Sequence, residues 1–365
     1  FVSAIDTYSS DYGNNSVDEN NLNNSNNGGN VNIGGVQDIG LFRDIIEAGD
    51  IPSPDTLTAN GFFSEHYLEY PFGSCDERLC LNGMIGRGTS LISNDYMNVL
   101  QVVMKSYVDP SEYERPATDF IAVIDISGSM YSEDKLNYVK EGLHLMVDKL
   151  NPDDRLSIVA YSDWATEIQP LTFADGFEAK EAMHASVTSL LPSGSTNIYD
   201  ALDTAFEVAT QSEADGRYAR VVFLSDGVPT SGITDQDSIL TLARESVSDT
   251  VQLTSIGVGY DVNFELMKEL AMAGGNFYFI ENGSSLTDIF VQELDFFAFP
   301  IAKDILITLT SGESFYAGDA VGFDQWQSTG GGGSAYIPSI YAASRVSSST
   351  EDPTARRGGG SALFV

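Results

Sequence analysis

The chain has 365 residues, with 18 basic against 53 acidic side chains and a formal net charge of −35. A surface this acidic repels phosphate backbones and anionic lipid, which excludes a nucleic-acid binder and suits surroundings rich in salt or divalent cations that screen the self-repulsion. With 42% hydrophobic and 11% aromatic residues, wholesale disorder is excluded too, and the length suits more than one domain.

Residues 1–12 (FVSAIDTYSSDY) alternate in the manner of a short strand. Residues 13–35 are crowded with Asn and Gly, the composition of a flexible linker. This tract has few apolar side chains to bury, so any order in it must come from outside, from a neighbouring sheet edge or from Ca²⁺ on carbonyl oxygens. From Asp38 to Ala48, the spacing of Ile39, Leu41, Phe42, Ile45 and Ile46 predicts an amphipathic helix closed by Gly49. Pro52-Ser53-Pro54-Asp55 opens another short helix. His66 stands among Tyr67, Tyr70 and Phe72, a setting for packing and not for catalysis. Cys75 and Cys80 lie in one polar loop and are the only cysteines. Two cysteines are too few for a zinc site, even with His66, so a disulfide is expected, which places the chain outside the cytosol. Segments 79–87 and 97–108 read as strands.

From Asp119 the pattern changes to strand alternating with helix. Phe120–Ile124 is a nearly unbroken apolar run, as in a strand buried on both faces of a parallel sheet. Leu156–Tyr161, Val221–Leu224, Leu253–Val258 and Phe277–Ile280 are further such runs. Helical spacing occupies 134–150, 176–191, 199–211, 235–247, 263–273 and 284–294, for instance Leu136, Val139, Leu143, Met146, Val147 and Leu150 in the first. This alternation predicts a doubly wound, mostly parallel α/β sheet of Rossmann-like type, with its ligand site at the carboxyl ends of the strands. After Asp295 the alternation stops. Ile305–Leu309 reads as a strand, 316–334 is glycine-rich and Tyr336–Ala343 reads as a strand again. The expected organisation is a mixed, β-rich region at 1–116, an α/β domain at 117–294, and a β segment at 295–365. The two flanks would form one domain into which the α/β domain is inserted; the alternative is two separate small flanking modules.

The chemistry concentrates at Asp125-Ile126-Ser127-Gly128-Ser129, directly after the first buried strand. Alternate side chains of a tight loop converge on one point, and a carboxylate with two hydroxyls offers hard oxygen ligands for Mg²⁺, Mn²⁺ or Ca²⁺. Neutral hydroxyls leave the ion much of its charge, so it needs an outside anion to complete its shell. Two more segments join this one: Ser193-Gly194-Ser195-Thr196-Asn197 before a helix, and Leu224-Ser225-Asp226-Gly227 ending a buried strand.

Together, DISGSM, SGSTNIYDAL and VVFLSDG resemble the three parts of the metal-ion-dependent adhesion site of von Willebrand factor A (VWA) domains. The resemblance covers about 117–294. It implies Ser127, Ser129 and Thr196 as hydroxyl ligands, with Asp125 and Asp226 completing the site directly or through water. It also implies a divalent cation, Mg²⁺ first, and a protein partner offering an Asp or Glu carboxylate. More loosely, FVSAIDTYSSDY, LFRDIIEAGDIPSPDTL and the tail IPSIYAASR…RRGGGSALF resemble the flanks of a family of bacterial cell-surface VWA proteins, in which the Asn-rich stretch is absent.

No other feature competes. His144 and His184 fall on helical segments with no nucleophile at motif spacing, and read as surface or packing residues. Gly257-Val258-Gly259 lacks the lysine of a phosphate loop, and GxSxG is missing, so no enzyme is expected. Asp163 and Asp261 sit at strand ends near the metal loop and read as solvated carboxylates, with partner contact as the alternative. No apolar run reaches membrane-spanning length. The start at Phe1, with no signal peptide, reads as a mature exported chain. The expected function is an extracellular or cell-surface adhesion module. The alternative is a structural subunit of a self-assembling filament or surface layer, held together by strand addition of the Asn-rich tract. A cytosolic metal-insertion role beside an ATPase is disfavoured by the cysteine pair.

Overall fold

The computed structural model describes residues 29–33, 35–36, 40–57, 75–90, 93–106, 116–259, 262–280, 300–312, 320–323, 326–329, 331–343 and 361–364, with a few isolated positions besides. The expected strand at 1–12, the helix at 284–294, His66 and Asp261 lie outside them.

In chain order, the first elements are β1 (Gly29–Ile33), β2 (Gly35–Val36), α1 (Gly40–Glu47), β3 (Cys80–Thr89) and β4 (Tyr96–Ser106). Next come β5 (Thr118–Asp125), α2 (Lys135–Lys149), β6 (Arg155–Tyr161), β7 (Ala165–Phe173), α3 (Gly176–Thr188) and α4 (Ile198–Ala214). Then follow β8 (Tyr218–Ser225), α5 (Gln236–Ser246), β9 (Val251–Val258), α6 (Phe264–Met272) and β10 (Asn276–Ile280). The last are β11 (Ala302–Thr310), β12 (Ala320–Val321), β13 (Trp326–Thr329), β14 (Gly332–Ala343) and β15 (Ser361–Phe364). Pro54–Thr56 and Gly128–Asp134 are 3-10 turns.

The α/β sheet has the order β2-β10-β9-β8-β5-β6-β7, parallel throughout except for the antiparallel edge pair β6–β7. Every residue of β5 is buried, because alternate side chains enter two different cores. Ile121 and Val123 face α4, α5 and α6, while Phe120, Ala122 and Ile124 face α2 and α3. That two-sided burial is why the strand reads as a continuous apolar run. β7 was not anticipated: it mixes polar and apolar residues and carries Pro170, which only an edge strand tolerates.

The second sheet takes strands from both chain ends, in the order β11-β14-β1-β4-β15-β12, with β3 paired to β4 and β13 to β14. Its core gathers Val102, Met104, Ile301, Ile307, Phe323, Ala335, Ile337 and Ile340. The α/β domain is thus inserted into a β-rich unit that both ends of the chain build. The Asn-rich tract departs from its reading as a linker. Its last residues form β1, antiparallel to β14 on one side and to β4 on the other, and then β2, parallel to β10. Main-chain pairing with its own chain orders this part of the tract, with no neighbouring subunit required. The glycines near 332 also belong to a strand. A Cβ on Gly333 would lie 2.2 Å from the Trp326 ring, and one on Gly332 would lie 1.9 Å from Leu309 O, so close approach excludes side chains there.

The two units meet at Tyr341 of β14. Its hydroxyl lies 3.2 Å from Gln252 Oε1 and 3.1 Å from Gly274 O, and accepts from Arg220 Nη1 at 3.4 Å. Arg220 and Gln252 stand near the starts of β8 and β9, so the β-rich unit docks at the amino ends of the parallel strands. The carboxyl ends point the other way.

Candidate metal centre

β5 ends on Asp125, and the turn that follows is tied to its neighbours through the main chain. Ile126 N–H donates to Tyr161 O (2.9 Å), Gly128 N–H to Gly194 O (3.1 Å) and Ser193 N–H to Ile126 O (2.6 Å). A second strap holds the Thr196 loop: Thr196 N–H donates to Thr230 Oγ1 (2.9 Å), and Thr196 O accepts from Thr230 N–H (2.9 Å) and Ser231 N–H (3.2 Å). Asn197 then caps α4, its side chain accepting from Asp200 N–H at 3.3 Å. Loops from β5, from the chain before α4 and from β8 are thus locked together at one end of the sheet.

The side chains converge in this frame. Ser127 Oγ lies 3.0 Å from Ser129 Oγ, and the Ser129 hydroxyl donates to Asp226 Oδ1 at 2.9 Å. Asp125, Ser127, Thr196 and Asp226 are buried, whereas Ser129 is exposed, so the cluster opens to solvent on the Ser129 side. Asp125 is braced from behind. It accepts from Ser127 N–H (2.8 Å), Ser225 Oγ (2.8 Å) and the Tyr161 hydroxyl (3.2 Å). Burial pushes its pKa up to about 6, against the hydrogen bonds from Ser127, and the neighbouring Asp226 adds to the rise. Burial, then Asp125 itself, keeps the Tyr161 phenol protonated. Thr196 packs its methyl against Gly227, where an added Cβ would lie 3.5 Å away.

Whether these residues fit a hard cation is tested by spacing and donor type. Mg²⁺ binds six oxygens at about 2.0–2.1 Å and right angles, which puts adjacent ligands about 2.9 Å apart. The Ser127 Oγ–Ser129 Oγ and Ser129 Oγ–Asp226 Oδ1 distances match that spacing, and every candidate ligand atom is oxygen. Among the described residues no group of three or more His, Cys, Asp or Glu gathers to hold a metal, so a cation here relies on hydroxyls. The residues fit.

Sequence reasoning missed three members of the cluster. Ser225 and Tyr161 close apolar runs and had passed for strand residues. Lys135, whose Nζ lies 3.0 Å from Asp226 Oδ2, carried no signal at all. Asp163 is exposed, as expected, and also braces the loop: it accepts from Ser195 N–H at 3.1 Å and from the Ser195 hydroxyl, and its carbonyl accepts from Asn197 Nδ2 at 3.0 Å. His144 and His184 pair with each other, Nδ1 to Nδ1 at 2.7 Å, between α2 and α3.

Residues 119–292 match the von Willebrand factor type A domain family. These residues form a VWA domain. Over 214 residues it is 29% identical to the uncharacterized protein YfbK of Escherichia coli (strain K12), covering 58% of this chain and 36% of that protein. Over 174 residues it is 30% identical to inter-alpha-trypsin inhibitor heavy chain H4 of Homo sapiens, covering 46% of this chain and 19% of that one. The chain therefore spans well under half the length of either relative. A solved von Willebrand factor type A structure from Catenulispora acidiphila superposes with a TM-score of 0.52 at 15% identity, covering 80% of this chain and 66% of its own. That coverage exceeds the VWA domain, so the likeness of fold reaches into the β-rich unit.

Proposed function

We propose that the VWA domain is a metal-dependent protein-binding module, acting outside the cell or on its surface. Ser127, Ser129 and Thr196 would hold a divalent cation through hydroxyls, Mg²⁺ first and Mn²⁺ or Ca²⁺ as alternatives, with Asp125 and Asp226 completing the site directly or through water. When bound, the cation supplies a positive coordination position to a carboxylate of a partner protein. The observation that carries this reading is the Ser127–Ser129–Asp226 oxygen cluster, at cation-ligand spacing, at the solvent-facing end of the sheet. The chain's own residues prepare the rest. Tyr161 and Ser225 hold Asp125 in place, and the straps fix the two loops that carry Ser127, Ser129 and Thr196 before any cation arrives.

Two further features support a protein partner. Tyr131, Trp164, Leu191 and Val228 stand exposed on the loops that frame the site, at 80%, 67%, 70% and 55% of their surface, and large exposed apolar groups of this kind mark interaction surfaces. Among the described residues, the β-rich unit meets the VWA domain at the opposite end. The Cys75–Cys80 disulfide supports an exported location.

Calorimetry with MnCl₂ and MgCl₂ tests the proposal. One site is expected, and at a hundredfold excess of cation over Kd the native state gains about 2.7 kcal/mol. Asp125→Ala and Ser129→Ala should each abolish that gain while the apolar sheet keeps the fold. Absence of cation binding by the native protein would overturn the reading.

A further inference from the structure

His144 and His184 take no part in the oxygen cluster. They stand on α2 and α3, which cover one face of the VWA sheet and bury Leu143, Val147, Met183 and Val187 in a common core. At the rim of that core the two rings meet, Nδ1 to Nδ1 at 2.7 Å, with centroids 4.9 Å apart and planes tilted by 35°. His184 Nε2 lies 3.2 Å from Oδ1 of Asp148, one helical turn after His144. Measured from Lys135, which opens α2 beside Asp226, His144 is about 14 Å along the helix axis. The pair is therefore separate from the oxygen cluster.

The neighbours decide where the ring protons sit. An ionised carboxylate only accepts, so His184 Nε2 carries the hydrogen that points at Asp148, and in the neutral ring its Nδ1 is a lone pair. His144 then donates into that lone pair from its own Nδ1. Burial, with His184 adding to it, holds His144 below the ordinary imidazole pKa, so this ring is neutral at about pH 7. Lys140 and Lys180, one turn before each histidine, are held by main-chain oxygens. Lys140 Nζ donates to Thr188 O at 3.2 Å, and Lys180 Nζ donates to Asp148 O and Leu150 O, each at 2.9 Å.

Two converging imidazoles, one of them oriented through its far nitrogen by a carboxylate, are what a borderline divalent metal takes from a protein. Bonds of about 2.0–2.1 Å put two nitrogen ligands about 2.9 Å apart at a right angle and about 3.4 Å apart at the tetrahedral angle. From 2.7 Å, ring rotations that open the gap by about 0.2–0.7 Å seat the ion. The hydrogen on His144 Nδ1 passes through solvent to its Nε2, so both lone pairs face the metal. The His184 side chain is 24% exposed, which leaves the remaining coordination positions to water. We propose that His144 and His184 form a second metal site, a clasp between α2 and α3 for Zn²⁺ or Cu²⁺, with Asp148 as the positioning residue behind His184. The oxygen cluster suits hard cations, and this pair suits imidazole-preferring ones. The clasp does not depend on a cation at Ser127 and Ser129.

The test uses the full chain and two probes, Zn²⁺ and Cu²⁺. Zn²⁺ affinity is measured by calorimetry, with MgCl₂ in excess, for the native protein, His144→Gln, His184→Gln and Asp148→Ala. Electron paramagnetic resonance of Cu²⁺ on the native protein counts the coordinating nitrogens and needs no variant. Circular dichroism establishes which variants fold. The expected result is coupling to two imidazole nitrogens in the native protein, reduced to one in either folded histidine variant. Zn²⁺ should bind at least roughly tenfold more weakly to those variants, and roughly tenfold more weakly to Asp148→Ala, which keeps both ligands but frees the His184 ring. A pair that only packed the helices would change the melting temperature in the variants and leave Zn²⁺ affinity as it was, which overturns the proposal. A native Cu²⁺ spectrum without imidazole coupling overturns it as well. So does Zn²⁺ binding that survives in folded His144→Gln and His184→Gln, because the ion then sits at the oxygen cluster or at His66, the third histidine of the chain.

Discussion

At the scale of single residues, Lys135, Arg155 and Arg217 are each paired with a buried acid. Asp119, at the start of β5, is fully buried and receives Arg155 Nε at 2.9 Å and Arg217 Nε at 2.7 Å. Burial alone would raise its pKa, but the hydrogen bonds from Arg155 and Arg217 outweigh that and hold it below the usual carboxylate value. A folded-state pKa below the unfolded one means stability that is fully present above about pH 4 and is lost as pH falls through the folded value. Asp119→Asn should cost roughly 3 kcal/mol at neutral pH, since it removes the buried negative charge that two guanidinium groups share and replaces one accepting oxygen with an amide NH₂. It should also flatten the decline in stability between about pH 4 and pH 2. Urea unfolding of both proteins across that range checks this, and parallel pH profiles would refute it. Charge counting from composition could flag the acidic excess but not this pairing, because Arg155 and Arg217 are distant from Asp119 in sequence.

At the scale of elements, the strands and helices of the VWA domain other than β7 were legible because each obeys a period. β5 is apolar throughout because both its faces are covered, and α2 repeats its apolar positions at helical spacing because one face is. β1, β13 and the start of β14 were not legible. What makes them strands is main-chain pairing and close approach, which Asn and Gly permit but do not announce. The Cys75–Cys80 disulfide belongs to this scale. It ties a short loop to the first residue of β3, and β3 pairs with β4 along all ten of its residues. The chain-entropy estimate for so short a loop is about 2 kcal/mol. Reduction should therefore speed hydrogen exchange around 75–82 and leave 118–258 unchanged. Mass-spectrometric exchange under reducing conditions reads this directly, and faster exchange across the VWA sheet would contradict it.

At the scale of the whole molecule, the decisive feature is the end of the sheet to which the β-rich unit is attached. Arg220 is wholly buried, donates to Thr254 Oγ1 at 3.2 Å and lies over the Tyr341 ring at 5.4 Å. Tyr341→Phe removes the hydroxyl that joins Arg220, Gln252 and Gly274 O, and leaves buried polar groups short of a partner. It should cost about 1–3 kcal/mol of global stability. Mn²⁺ affinity should not change, because the metal site lies at the far end of the strands. Thermal unfolding and calorimetry together test this; a weakened Mn²⁺ site would mean that the two ends are coupled.

The amino-acid order alone determined the α/β alternation, and it pointed to the inserted arrangement and to Asp125, Ser127, Ser129, Thr196 and Asp226 as candidate ligands. These are written in local periods and in short motifs, where neighbouring residues carry the information. Only the tertiary structure decided the surroundings of that set: Tyr161 and Ser225 behind Asp125, Lys135 on Asp226, and the β-rich unit at the opposite pole. Such contacts join residues far apart along the chain, Lys135 and Asp226 being separated by 91 positions. No local pattern encodes which of many similar side chains will meet. Packing selects them, once the sheet has closed and each buried charge must find its partner.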